Sequence, residues 1–181
     1  MPTSTAPTSK IIQLPSLKAT HDFGRRLGAA ATPGQVIALR GELGAGKTTL
    51  TQGIAAGLGI SARVTSPTFT LINQYSPGTR RLLLVHIDTY RLGDDAASAQ
   101  SEASNLGLTE ILDDAALPDM HSEGAIVVIE WAERIAPLLP TNTLYIHLSP
   151  VPSGLNARTA TLTATSPEVT EMLILLDGEI K

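Results

Sequence analysis

The chain contains no cysteine in 181 residues, so neither a disulfide framework nor a thiolate zinc site is available to it. Aromatic residues are scarce at 3%, and Trp131 is the single tryptophan. No stretch approaches the ~18 consecutive apolar residues that a membrane-spanning helix needs. The first ten residues, Met1 to Lys10, have neither a basic leader region nor an apolar one, so they do not read as a secretory signal. A basic excess is missing too: the net charge is −4. Acidic side chains gather between Asp94 and Glu123, whereas Arg25, Arg26, Arg80, Arg81, Arg91, Arg134 and Arg158 are scattered. A protein that grips nucleic acid by itself usually presents a basic face, because phosphate neutralisation supplies most of the affinity. Direct, tight RNA or DNA binding is therefore disfavoured, and a cytoplasmic protein without a membrane anchor is expected.

What is present is a glycine-rich loop. Residues 41–48 read Gly-Glu-Leu-Gly-Ala-Gly-Lys-Thr, a complete G-x-x-x-x-G-K-[ST] pattern. The apolar run Val36 to Leu39 precedes it as a buried strand, and Leu50, Ile54 and Leu58 follow at the spacing of one helix face. Strand, glycine loop and helix is the context that makes the pattern a phosphate site rather than a turn. Gly41, Gly44 and Gly46 allow the sharp backbone turns that aim N–H groups inward, toward phosphate oxygens at the helix N-terminus. Lys47 adds a point charge at the β/γ-phosphates, and the Thr48 hydroxyl can enter a Mg²⁺ sphere. ATP or GTP is the expected ligand.

The 43% apolar composition suits one globular domain with a real core. Residues 1–10, rich in Thr, Ser and Pro, are expected to be a disordered tail ahead of a single domain over 11–181. Within it, residues 11–14 read as a short edge strand and Thr20 as the cap of a helix reaching about Ala31. Strands are expected over 68–75, 82–87, 125–129, 144–148 and 158–164. A short helix should cover 108–112 and a C-terminal one 167–176, while 93–105 is ambiguous between loop and helix. The short turn between strands 68–75 and 82–88 implies an antiparallel pair. The order gives an α/β protein of the P-loop NTPase type, a compact domain with a mixed central sheet flanked by helices.

A P-loop needs a carboxylate partner for its metal, and ligands sit at the carboxyl ends of central strands. Asp88 closes the apolar run 82–87 and Glu130 closes 125–129. Spacing alone leaves open which of them meets Mg²⁺ and which orients water. Ser66-Pro67-Thr68 lies where many NTPases carry a γ-phosphate-sensing segment, though by itself it reads as a turn. His86, inside an apolar strand, reads as a core histidine.

Four segments occur in order: Gly-Glu-Leu-Gly-Ala-Gly-Lys-Thr-Thr (41–49), Ser-Pro-Thr-Phe-Thr-Leu (66–71), His-Ile-Asp-Thr-Tyr-Arg-Leu (86–92) and Ile-Glu-Trp-Ala-Glu-Arg (129–134). Together they closely resemble TsaE, the small bacterial ATPase family required for the threonylcarbamoyladenosine modification of tRNAs reading codons that begin with A. The resemblance covers about residues 11–150. It implies ATP/ADP and Mg²⁺ as ligands and slow hydrolysis expressed inside a complex. The implied partners are the transferase subunit TsaD and its companion TsaB, with tRNA engaged only indirectly. It further implies that Gly44, Ala45, Gly46, Lys47, Thr48 and Thr49 bind the nucleotide and that Thr48 and Glu130 hold the metal. Lys47, Asp88 and Glu130 would carry hydrolysis, and Arg158, in the late hairpin, would approach the nucleotide. Two other readings of the loop remain: a small-molecule kinase and a nucleotide-dependent switch with little turnover. The absence of Arg and Lys from 93–105 argues against the kinase, which needs a cationic lid.

Overall fold

The computed structural model describes residues 7–152 and 154–176. Seven strands form one mixed sheet: β1 (Thr8–Leu14), β2 (Val36–Arg40), β3 (Ile72–Tyr75), β4 (Leu83–Asp88), β5 (Ala125–Glu130), β6 (Thr143–Val151) and β7 (Gly154–Ala164). Their order across the sheet is β1-β7-β6-β2-β5-β4-β3. The central pairs β6/β2, β2/β5 and β5/β4 are parallel, while both margins, β1/β7/β6 and β3/β4, are antiparallel. The helices are α1 (Leu17–Ala30), α2 (Lys47–Gly57), α3 (Ala96–Asn105), α4 (Leu108–Asp114) and α5 (Pro167–Leu175), with a 3₁₀ segment over Ala132–Leu138. This is the P-loop NTPase fold, in one domain.

The sheet is covered on both faces because its central strands are apolar on both. On β2, Ile37 and Leu39 join one cluster with Phe23 and Leu27 of α1 and Leu50 and Ile54 of α2. Val36 and Ala38 join the other, with Ala99 and Ala103 of α3 and Leu108 of α4. The period-2 alternation of a strand makes this division. It repeats on β5, where Ile126 and Val128 face α1 and α2 while Val127 and Ile129 face α3 and α4. Buried runs without polar alternation are what a parallel centre requires.

Several boundaries differ from expectation. The first strand begins at Thr8, so residues 8–10 do not belong to a disordered tail: the length of β7 lets Thr8, Ser9 and Lys10 register with Ala164, Thr163 and Leu162. Residues 1–6 of that expected tail lie outside the described residues. The first helix is capped by Ser16, not Thr20. Ser16 Oγ accepts from Ala19 N at 3.1 Å, and Thr20 is buried one turn in, its own Oγ1 donating back to Ser16 O. The strand expected from residue 68 starts only at Ile72, because Thr70 N and Leu71 N both donate to Pro67 O in a turn, with Leu71 at φ +64°. The ambiguous stretch 93–105 is helical from Ala96, capped by the Asp95 side chain on Ser98 N at 2.8 Å. The edge position of β1 and the antiparallel β3/β4 pair agree with the sequence.

Helix α1 packs closely against α2, and glycines make this possible. Gly24 and Gly28 on α1 meet Gly53 and Gly57 on α2. A Cβ on Gly28 would stand 2.1 Å from Ile54 O, and one on Gly53 would stand 2.1 Å from His21 O. Backbone therefore lies against backbone, and α1 fixes the helix that begins at the glycine loop.

Candidate functional site

The loop between β2 and α2 is built on left-handed glycines: Gly41, Gly44 and Gly46 have φ of +134°, +78° and +101°. An L side chain is strained at these values. The helix starts at Lys47 with no side-chain cap, since Gly46 occupies the cap position, so its first N–H groups face the loop's interior. Gly44, Ala45, Gly46, Lys47, Thr48 and Thr49 line one wall of a cavity of about 370 Å³. Ser66, Thr68, Asp88, Glu130 and Trp131 also line it, and Leu17 and Leu43 add aliphatic surface.

Lys47 is buried against the loop, its Nζ donating to Gly41 O at 2.7 Å and Glu42 O at 3.1 Å. The same Nζ lies 3.8 Å from the centroid of the Trp131 ring, a cation–π contact. Burial pushes the ammonium below its ordinary pKa, and the carboxylates of Glu130, Glu133, Asp88 and Glu42 oppose that shift. A buried cation beside a helix N-terminus is suited to an anion with several oxygens.

The sheet's alternation brings the acids together. Asp88 and Glu130 are register partners at the ends of the parallel strands β4 and β5. Counting back by two from each reaches Leu84 on β4 and Val128 and Ile126 on β5, all on the α2 face. Glu130 Oε1 accepts from Thr48 Oγ1 at 2.9 Å and lies 2.9 Å from His86 Nε2. Asp88 Oδ2 accepts from Ser66 Oγ at 3.1 Å and Thr68 Oγ1 at 2.5 Å, while its Oδ1 accepts from Tyr90 N at 3.0 Å. The two carboxylates thus face different elements: Glu130 the P-loop helix, Asp88 the 66–68 segment.

A hydroxyl and a carboxylate oxygen 2.9 Å apart are hard donors of the kind Mg²⁺ takes. No group of three His, Cys, Asp or Glu side chains among the described residues makes a metal site. Mg²⁺ bound beside phosphates needs only one or two protein oxygens, so Thr48 and Glu130 fit such an ion.

Arg158 is brought to the loop, but its donors are already engaged. Nε donates to Ala45 O and Nη2 to Gly44 O, each at 3.0 Å, and Nη1 donates to Leu155 O and Ala157 O within its own hairpin. It grips the outside of the P-loop and is absent from the cavity lining. The residue expected to approach the nucleotide thus bonds to the carbonyls of the glycine loop.

Two features escaped sequence reasoning. Thr89 Oγ1 donates to Glu130 O at 3.1 Å and Trp131 O at 2.7 Å, tying the end of β4 to the turn after β5. That turn holds Trp131 at φ +59°, which aims its ring at Lys47 and Tyr90, the latter 5.0 Å away between centroids. A lone threonine carries no signal for this. The paired glycines do: two Gly-x-x-x-Gly spacings on predicted helices are visible at 24/28 and 53/57.

Against known proteins, residues 14–159 match the family model for threonylcarbamoyl adenosine biosynthesis protein TsaE. The tRNA threonylcarbamoyladenosine biosynthesis protein TsaE of Bacillus subtilis is 40% identical over 145 residues, 80% of this chain and 79% of that protein. The protein of the same description from Mycobacterium tuberculosis is 39% identical over 142 residues, 76% of this chain and 77% of its own. The crystal structure of Bacillus subtilis YdiB superposes with a TM-score of 0.72 at 30% identity, covering 96% of this chain and 97% of that one.

Proposed function

The chain belongs to the TsaE family, and we propose that it binds MgATP in this cavity and hydrolyses it slowly in the service of tRNA threonylcarbamoyladenosine synthesis. The observation that carries the reading is the convergence of Lys47, the Thr48–Glu130 pair and Asp88 on one cavity at the P-loop. Backbone N–H groups at the start of α2 receive phosphate oxygens, and Lys47 exchanges its loop carbonyls for them. Thr48 and Glu130 would hold the metal, which would supply charge neutralisation at the phosphates. Asp88, tied to Ser66 and Thr68, orients the attacking water.

The activity is exercised with the transferase subunits TsaD and TsaB, which would hold the tRNA. The acidic chain, with a net charge of −4, supports an indirect role toward tRNA. No described helix is long and apolar enough to cross a membrane. Reconstitution with TsaD, TsaB and tRNA tests the reading, with ATP hydrolysis and modified adenosine measured together. Wild-type protein should sustain multiple rounds of modification and Asp88→Asn should not. Equal yields with wild type, Asp88→Asn and no added protein would overturn it.

A further inference from the structure

We propose that His86 is a positioning residue for Glu130, fixing the carboxylate in the orientation from which it serves the metal. The inference rests on the functional reading above for what Glu130 does, but its geometry stands independently. His86 lies on β4 two residues before Asp88 and is fully buried. Its Nε2 is 2.9 Å from Glu130 Oε1, the oxygen that also accepts from the Thr48 hydroxyl. Its Nδ1 is buried and has no hydrogen-bond partner among the described residues.

A carboxylate oxygen accepts, so Nε2 must donate. The environment therefore selects the tautomer with Nε2–H and bare Nδ1. On this face Leu84, Ile126 and Val128 are aliphatic, and Asn73 is the cross-strand partner on β3. An aliphatic side chain at 86 would suit the packing and avoid burying an unpartnered nitrogen. What the imidazole adds is one directed hydrogen bond to Glu130.

The two donors on Oε1 differ in kind. Thr48 belongs to the loop-and-helix unit that must take up phosphates, and its hydroxyl is itself a metal donor. His86 is embedded in a central strand with parallel β5 beside it. It can keep the aim of Glu130 whatever the Thr48 hydroxyl does, as outer partners of metal ligands commonly do.

Three readouts test this: metal-free binding of a fluorescent ATP analogue, the Mg²⁺ needed to tighten that binding, and the imidazole ¹⁵N shifts of the wild-type protein. His86→Leu should raise the Mg²⁺ requirement about ten- to a hundredfold and leave metal-free binding intact. His86→Gln, whose Nε2 can reproduce the donor, should recover most of the loss. The ¹⁵N shifts should show protonated Nε2 and bare Nδ1 without any ligand. A protonated Nδ1 with bare Nε2, a normal Mg²⁺ requirement in His86→Leu, or His86→Gln as impaired as His86→Leu would each overturn the proposal. Wild-type protein whose nucleotide binding ignores Mg²⁺ would instead overturn the functional reading, a distinguishable result.

Discussion

Thr48 and Glu130 are 82 residues apart in sequence and hydrogen-bonded at 2.9 Å in space. One stands at the start of α2 and the other at the end of β5, and the register of β5 against β2 sets the distance: Leu39 is paired with Glu130. The P-loop leaves the sheet one residue after Arg40, so its helix begins directly over that carboxylate.

Lys47→Ala and Thr48→Ala should fail by different routes. Removing Lys47 deletes the buried charge and should weaken nucleotide affinity at least about tenfold, or ~1.4 kcal/mol, with or without metal. Removing the Thr48 hydroxyl should leave metal-free binding near normal and raise the Mg²⁺ requirement. Calorimetric titration of ATP with and without Mg²⁺ separates the two; the same defect in both variants would contradict separate roles.

The carboxylates divide similarly. Glu130→Gln should mimic the metal defect, because an amide is a poor ligand for a hard cation. Asp88→Asn should bind MgATP and hydrolyse it about a hundredfold more slowly, the scale of lost general-base assistance. Since Asp88 also holds Ser66 and Thr68, protease cleavage near residues 66–70 should rise in that variant. Reversal of the metal and hydrolysis defects would exchange the assignments.

Trp131 should report on the loop. Its ring receives Lys47 Nζ at 3.8 Å, and phosphate binding draws that ammonium away. Emission should therefore change on adding ATP or ADP, and Lys47→Ala should begin from an altered emission. A flat signal at saturating nucleotide, with binding verified by calorimetry, would mean the contact persists in the bound state.

The glycine contact sets stability and site geometry together. Gly53→Ala places a methyl 2.1 Å from His21 O, and Gly28→Ala places one 2.1 Å from Ile54 O. Backbone must move in both cases, at a cost of about 1–3 kcal/mol or more. A fall in Tm of roughly 2–4 °C per kcal/mol is expected for a domain of this size. Gly44→Ala, where a Cβ meets nothing within 4 Å but φ is +78°, should disturb nucleotide binding more than Tm. Thermal melts and binding titrations of the three variants decide it.

Arg158→Ala should weaken nucleotide binding by releasing Gly44 O and Ala45 O. Arg158→Lys should not restore it fully, because one ammonium cannot reproduce a fork that spans two carbonyls. If lysine restores binding in full, charge rather than bracing is what Arg158 supplies.

The sequence by itself determined the phosphate loop, the fold class and the identity of both terminal carboxylates. Each depends on local order: the Gly-x-x-x-x-Gly-Lys-Thr spacing, and apolar runs such as 125–129 that can only be buried and that end on an acid. Local chemistry was less decisive where two candidates stood close together. Ser16 and Thr20 can each cap a helix, and the chain uses Ser16, since Thr20 is buried one turn in with its Oγ1 donating to Ser16 O. The strand expected over 68–75 loses residues 68–71 to a turn in which Thr70 N and Leu71 N donate to Pro67 O, beside Ser66 and Thr68 bonded to Asp88, some twenty residues away. Only the tertiary structure decided which acid faces which element, that His86 Nε2 lies 2.9 Å from Glu130, and that Arg158 bonds to the carbonyls of the loop. Those relations arise from strand register and helix packing, and a side chain's neighbours across a sheet are set by that three-dimensional registration, not by its place in the chain.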